Sequence, residues 1–413
     1  MSLTESDAVI IGGGAAGLMC AITAAERGLR VAVIEPNREL GRKLRITGKG
    51  RCNVTNHCSI QEMMRNLPMD GRFLYPALNR FNSEDTEDFF TRRGVPLKVE
   101  RGGRVFPVSD RAEDIAQCLV RSVRSAGAFI TRDRALSIEK SDDCSYRIHT
   151  ATGKEYIAPN VCISTGGLSY PLTGSTGDGY KFAEKFGHTI VPLQPSLVPL
   201  VCNEQWCGQL AGVSLKNIRL TAYEDGVRIY SDIGEMLFTH FGVSGPLVLT
   251  ASSHMRNWGK KRYGICLDLK PGLSEEKLDL RIQRDFAKYH GRTFPNALQD
   301  LLIHSMIPVV TQYSEIQADL PVDAVTRVQR KRLVKALKGL PLSVSGTRPI
   351  SEAIVTAGGV STKEINPRSM ESKICPGLYF AGEVMNLDAI TGGFNLQIAW
   401  TTGYVAGMSM VGR

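Results

Sequence analysis

The stretch Asp7-Ala8-Val9-Ile10-Ile11-Gly12-Gly13-Gly14-Ala15-Ala16-Gly17 decides the fold. A short apolar run ends in glycines and passes into Ala15 to Arg27, an Ala-, Leu- and Ile-rich helix pattern. A second apolar run, Val31 to Ile34, follows and closes on Glu35. Strand, glycine turn, helix, strand and acid stand in the order of a dinucleotide-binding β-α-β unit, and the glycines fit G-x-G-x-x-G. Gly12 permits the tight turn, Gly14 lets a pyrophosphate approach the backbone, and Gly17 lets helix and strand pack closely. The free N–H groups of Ala15 and Ala16, at the positive end of the helix dipole, suit phosphate oxygens. Glu35, 18 residues beyond Gly17, stands where an acid accepts ribose hydroxyls.

The other end of the chain carries a second set. Gly377 to Phe380 reads as a buried strand running through Ala381 into Gly382-Glu383. Thr391-Gly392-Gly393-Phe394-Asn395-Leu396 opens a terminal helix. An acid at a strand end holds polyol hydroxyls, and a glycine-led helix start presents N–H groups to a ring edge that becomes negative on reduction. Between them, Ile163-Ser164-Thr165-Gly166-Gly167 is a strand-end Thr-Gly.

Together these motifs resemble the two-dinucleotide-binding-domain flavoprotein superfamily. The strings Gly41-Arg42-Lys43-Leu44, Thr47 to Asn56, Gly102 to Pro107, Gly234 to Pro246 and Ala389 to Ala399 are similar to the BaiN-type, aminoacetone-oxidase-like FAD flavoproteins, over nearly the whole chain. The resemblance implies an α/β fold: a discontinuous Rossmann-like FAD-binding domain with inserted β-barrel-like and helical domains. It implies FAD as cofactor and adds Pro36, Arg42, Lys43, Cys52, Asn53 and Ala135 to the cofactor contacts already named. Lys49 departs from the pattern, where glycine is expected.

The segment reading agrees. It places the FAD-binding domain at 1–191 and 346–413, a β-rich insertion at 192–272 and a helical one at 273–345. The first boundary follows Pro192, Pro195 and Pro199. Asp142-Asp143, Thr152-Gly153 and Asp225-Gly226 read as turns, and Asp110 as the N-cap of a helix from Ala112. No run reaches the roughly 18 apolar residues of a membrane span, and the first apolar run enters glycines rather than a leader's cleavage site, so a cytoplasmic protein without membrane attachment is expected. Ten scattered cysteines without CxxC spacing point away from zinc and from a dithiol centre.

The net charge of +9 is concentrated. Residues 38–51 carry six Lys/Arg against one acid, residues 92–104 carry five against Glu100, and residues 327–338 carry six with none. The last run reads as one helix with Arg327, Lys331, Lys335 and Lys338 on a shared face, either a solvated surface or a phosphate-binding one facing the cofactor. Arg51 and Cys52, in the glycine-rich loop, are the candidate cation and proton donor at the reacting ring, with a small packing residue as the alternative for Cys52. His240, between two phenylalanines, is a catalytic candidate whose plainer reading is a core histidine bonded to backbone.

The resemblance includes a ribosomal RNA dihydrouridine synthase branch. An NAD(P)H-driven reduction of uridine in RNA is therefore the leading expectation, and the basic clusters support an RNA partner. A small-molecule reductase or amine oxidase is the alternative, and a non-catalytic flavin-containing RNA-binding factor the third. No second G-x-G-x-x-G is present, so NAD(P)H is expected to act as a transient reductant.

Overall fold

The computed structural model describes residues 3–68, 71–141 and 144–412. The turn expected at Asp142-Asp143 lies outside them. The chain forms two compact units, Met1–Ser196 with Pro349–Arg413, and Leu197–Arg348.

The first unit is built on a five-stranded parallel sheet. Its order is Leu378–Phe380, Asn160–Ile163, Ala8–Ile11, Val31–Glu35, Phe129–Arg132. Every residue of the three central strands is buried, which is why they read as unbroken apolar runs rather than alternating ones. The chain leaves Ala8–Ile11 toward one edge and returns to Asn160–Ile163 on the other side. The switch point therefore lies between Gly12 and Ser164, where ligands of open α/β sheets bind. A four-stranded sheet of Leu3–Glu5, Glu155–Ala158, Tyr146–Thr150 and Ala135–Lys140 and a three-stranded one of Thr55–Asn56, Arg104–Pro107 and Leu97–Glu100 belong to the same unit.

The helix Ala15–Glu26 and the terminal helix Phe394–Ser409 pack against each other at very short range. A Cβ on Gly403 would stand 2.3 Å from the Ala16 carbonyl oxygen, and one on Gly407 would stand 2.6 Å from that of Cys20. Ala16 meets Gly403 and Cys20 meets Gly407, so the two helices run parallel with a fixed register. Arg27 then donates to the carbonyls of Gly407 (2.9 Å) and Met410 (2.7 Å), a cation on the negative end of the terminal helix.

The second unit is a closed barrel. Its strands, in order, are Leu200–Cys202, Gly242–Ser244, Val227–Thr239, Ser214–Glu224, Tyr263–Asp268 and Leu340–Thr347, all antiparallel. Asp225 and Gly226 both have positive φ, as the expected two-residue hairpin turn requires. The separate β-rich and helical insertions of the sequence reading are one unit here. Leu340–Thr347 closes the barrel only after the helical segment has passed, and the helices Glu275–Lys288, Ile307–Ser314 and Arg327–Lys338 share the barrel's core through Leu278, Ile282, Val310, Leu333 and Leu337. Asp110 is not an N-cap: Arg111 holds that position, and Asp110 binds Lys98 and Arg51 instead. Among the described residues, no helix is long and apolar enough to cross a membrane.

Gly403→Val should lower the thermal midpoint and the fraction of enzyme carrying flavin together. Overpacking of this kind costs about 1–3 kcal/mol. Circular dichroism melts with flavin absorbance check it, and an unchanged midpoint would contradict the close crossing.

Candidate active site

The glycine turn is shaped by what surrounds it. Gly12 has φ +106°, and a Cβ there would lie 2.5 Å from the Ser164 carbonyl oxygen; a Cβ on Gly17 would lie 1.9 Å from the Gly12 carbonyl oxygen. Around Gly14 a Cβ would meet nothing within 4 Å. Two of the three glycines thus serve close packing, and Gly14 borders open space. The helix from Ala15 has no side-chain cap and no acid in its first turn. The terminal helix is the same: Gly393 is its N-cap, with no side-chain cap and no acid. Both starts therefore keep unsatisfied donors and an uncompensated positive dipole end.

The helix register sets their separation. Ala16 stands level with Gly403, so the start at Phe394 lies about 12 Å along the common direction from the start at Ala15, at ~1.5 Å rise per residue. A ligand with an anionic centre at one start and an electron-accepting ring at the other fits that spacing.

Glu35 is buried at the end of its strand. Its Oε2 accepts from Gly13 N (2.7 Å), and its Oε1 from the backbone N (2.9 Å) and Nδ2 (2.8 Å) of Asn37. A carboxylate has about four acceptor sites, which leaves Glu35 about one for a ribose hydroxyl. Pro36 follows, exposed, and Arg42 donates to Asn37 Oδ1 at 3.5 Å. Ala135 is buried at the start of its strand.

Glu383 is held more fully than its motif suggests. Lys43 Nζ donates to its Oε2 (2.6 Å), and Ser169 Oγ and Thr356 N donate to its Oε1 (2.8 Å each). Lys43 also donates to Ser169 Oγ at 2.6 Å. One acid thus joins the Arg42–Ile46 helix, the segment after Thr165-Gly166 and the strand Val355–Val360. Gly382, at φ +75°, packs on Ala16, so no Cβ fits there either.

The loop reaching Asn56 meets the terminal helix directly. Asn56 Nδ2 donates to the Gly392 carbonyl (3.0 Å), Trp400 Nε1 to the Val54 carbonyl (2.8 Å), and Thr55 Oγ1 to Gln397 Oε1 (2.6 Å). Gln397 is buried and also takes a bond from Thr86 Oγ1 at 2.9 Å. Asn53 Oδ1 and Thr165 Oγ1 are buried without a protein partner. Unpaired buried acceptors are costly, and here they belong to two segments that border the switch point and the second helix start. Uncapped helix starts, open space at Gly14 and these two atoms fit an FAD.

Several candidates have other roles. Arg51 is not a free cation: it is paired with Glu100 and Asp110 and lies 4.0 Å over the Phe106 ring. Cys52 is 0% exposed within the main core, and burial pushes its thiol up to about 12, against a smaller lowering by Thr47. That is the packing alternative, and it removes the basis for Cys52 as proton donor. The Asn395 amide is occupied by its own loop, accepting from Ala389 N and donating to the carbonyls of Ala389 and Ile390, so only backbone near Phe394 and Leu396 remains for a ligand. His240 is no core histidine. It is exposed in the turn after Val227–Thr239, in the second unit, edge-on to Phe241. Ser169, Thr356 and Gln397 escape the sequence reading because their partners lie far away in sequence, whereas Asn37 bonds its near neighbour Glu35 and carries no motif of its own.

The sequence model of the HI0933-like protein Rossmann domain family matches residues 6–409. The chain belongs to this family. It is 32% identical over 409 residues to the ribosomal RNA dihydrouridine synthase of Escherichia coli, covering 98% of each chain. It is 31% identical over 408 residues to the 3-dehydro-bile acid delta(4,6)-reductase of Clostridium scindens, again covering 98% of each. Among solved structures it is similar in fold to 3-ketosteroid-delta4-(5alpha)-dehydrogenase from Rhodococcus jostii, with a TM-score of 0.54 at 15% identity over 98% of this chain and 97% of that one. The protein is accordingly an FAD-dependent oxidoreductase.

Cys52→Ala should lower stability by about 1 kcal/mol through the small cavity it leaves, with flavin content and the pH profile of substrate reduction unchanged. A shifted basic limb of that profile would restore Cys52 as a proton donor.

Proposed function

We propose that the protein is an NAD(P)H-driven reductase that converts uridine in ribosomal RNA to dihydrouridine. FAD, when bound, supplies hydride from its N5. In this reaction the C5=C6 double bond is lost, hydride is added at C6 and a proton at C5, and NAD(P)H is the electron source. The chain's own residues bind and orient. The N–H groups at Ala15 and Ala16 hold the anionic part of the cofactor, with Glu35 on a ribose. Thr165, Gly166 and Glu383 border its middle. The backbone N–H groups at Gly393 and Phe394 would face the ring, where such donors favour negative charge, and the unpaired Asn53 Oδ1 would accept a hydrogen bond from a ring or ribityl donor. Lys43, held by Glu383, places a cation in the same platform.

The observation that carries the RNA reading is a cationic stripe. Part of the first two basic clusters is paired in the fold: Lys43 with Glu383, Arg45 with Glu113, Arg51 and Lys98 with Asp110, Arg92 with Asp88 and Arg93 with Glu26, while Arg38, Arg42, Lys49, Arg101 and Arg104 are exposed. In the helix Arg327–Lys338, Arg330 pairs with Asp279, Arg332 with Glu315 and Lys338 with Asp268. Arg327, Lys331 and Lys335 stand exposed at i, i+4 and i+8, and Lys331 and Lys335 have no ion pair among the described residues. A row of exposed cations along one helix face favours a polyphosphate partner. The relatives named for ribosomal RNA support the same reading.

A small-molecule enone reductase is the second reading, favoured by the bile-acid reductase relative at nearly equal identity. The two separate anaerobically. Enzyme reduced with NADPH should be reoxidised by unmodified ribosomal RNA, with dihydrouridine appearing in the RNA. Flavin that stays reduced until a small enone is added would move the assignment. Reversing Arg327, Lys331 and Lys335 to Glu should spare NADPH oxidation and lower RNA turnover by at least tenfold. Equal turnover would make the stripe a solvated face.

A further inference from the structure

The barrel carries a groove that none of the foregoing uses. It is open to solvent, holds about 780 Å³, and lies across the strands Ser214–Glu224, Tyr263–Asp268 and Leu340–Thr347. Strand alternation makes its floor. Tyr223 pairs with Gly264, and Gly264 with Ser343, in one row across the three strands. Their neighbours Ala222, Ile265 and Leu342 are buried in the barrel, so this row faces outward. The floor is therefore an aromatic ring, a position without a side chain, and a small hydroxyl.

Gly264 has no structural reason to be glycine. It lies inside a strand, its φ is not positive, and an added Cβ would meet only the Leu342 carbonyl oxygen at 3.6 Å, an ordinary contact. Glycine in a strand interior weakens the strand and marks places where something else approaches the backbone. One wall is Trp258, whose indole leans on Tyr263 with ring centroids 4.5 Å apart. The rim is Lys260-Lys261-Arg262. Lys261 is answered by Asp225 at 2.8 Å, and the nearby Glu224 accepts from Tyr263 OH at 2.7 Å. The acids at this rim are thus already engaged, while Lys260 and Arg262 are exposed. The same strands Tyr263–Asp268 and Leu340–Thr347 seat the cationic helix Arg327–Lys338.

We propose that this groove binds a single-stranded segment of the RNA outside the nucleotide that is reduced, with bases against Tyr223 and Trp258 and phosphates at Lys260 and Arg262. Flat rings beside a cationic edge are the elements of sequence-tolerant single-strand binding, and small barrels bind oligonucleotides on an outward strand face. An open trough suits a polymer that passes across it; a small ligand is normally enclosed. The inference rests on the RNA reading of the preceding section.

The test uses the flavin-loaded full chain and a fluorescein-labelled, mixed-sequence single-stranded RNA, read by anisotropy over a salt series. The wild type should bind. Tyr223→Ala should weaken binding about tenfold, and Lys260→Ala/Arg262→Ala should reduce the log–log salt slope by about 1.4, at ~0.7 per phosphate contact on a single strand. Flavin content and the rate of NADPH oxidation should be unchanged in both. The rim variant alters only exposed side chains, so it remains informative if Tyr223→Ala fails to fold. Wild-type affinity and slope in the rim variant would overturn the groove assignment and leave RNA as substrate. Absence of RNA binding by the wild type would overturn the RNA reading, and the groove assignment with it.

Discussion

The contact between Gly403 and the Ala16 backbone constrains everything else in the cofactor unit. Two helices from opposite ends of the chain approach closely enough that no Cβ fits between them, and they do so in parallel. Their starts are consequently fixed at an offset rather than side by side. Each start is led by glycine and left without a cap, so each retains donors for a ligand. The remaining contacts serve this frame. Arg27 ties off the far end of the terminal helix, Asn56 and Trp400 bind the glycine-rich loop to it, and Glu383 with Lys43 locks the same loop to the strand end.

Much of this was legible in the sequence, for reasons that are local. The Gly12 to Gly17 turn, Glu35, the buried parallel strands and the Asp225-Gly226 hairpin each follow from steric rules that act within a few residues. What was not legible depends on distant partners. Arg51 looks like a free cation until Glu100 and Asp110, about 50 and 60 residues away, fold against it. Cys52 looks reactive beside an arginine and an amide, but the loop turns it inward. The barrel and helical insertions look separate because periodicity cannot reveal that Leu340–Thr347 returns to close the barrel.

The distribution of free charge differs most between sequence and structure. A net charge of +9 with three basic clusters suggests a broad positive surface. In the fold, many of those cations face acids from other segments, and one helix keeps Arg327, Lys331 and Lys335 exposed in a row. A localised stripe is a more specific feature than a diffuse excess of charge, because screening at physiological salt, over ~8 Å, leaves mainly close contacts effective. On the proposed RNA reading, substrate recognition turns on the second unit and cofactor binding on the first.

The central claim is that one FAD bridges both helix starts. Hydrogen exchange followed by mass spectrometry, on deflavinated enzyme and on the same enzyme after FAD is restored, tests it most directly. The account predicts that amides around Gly14 to Gly17 and around Gly393 to Leu396 gain protection together and with the same dependence on FAD concentration. Protection confined to the first segment would contradict it.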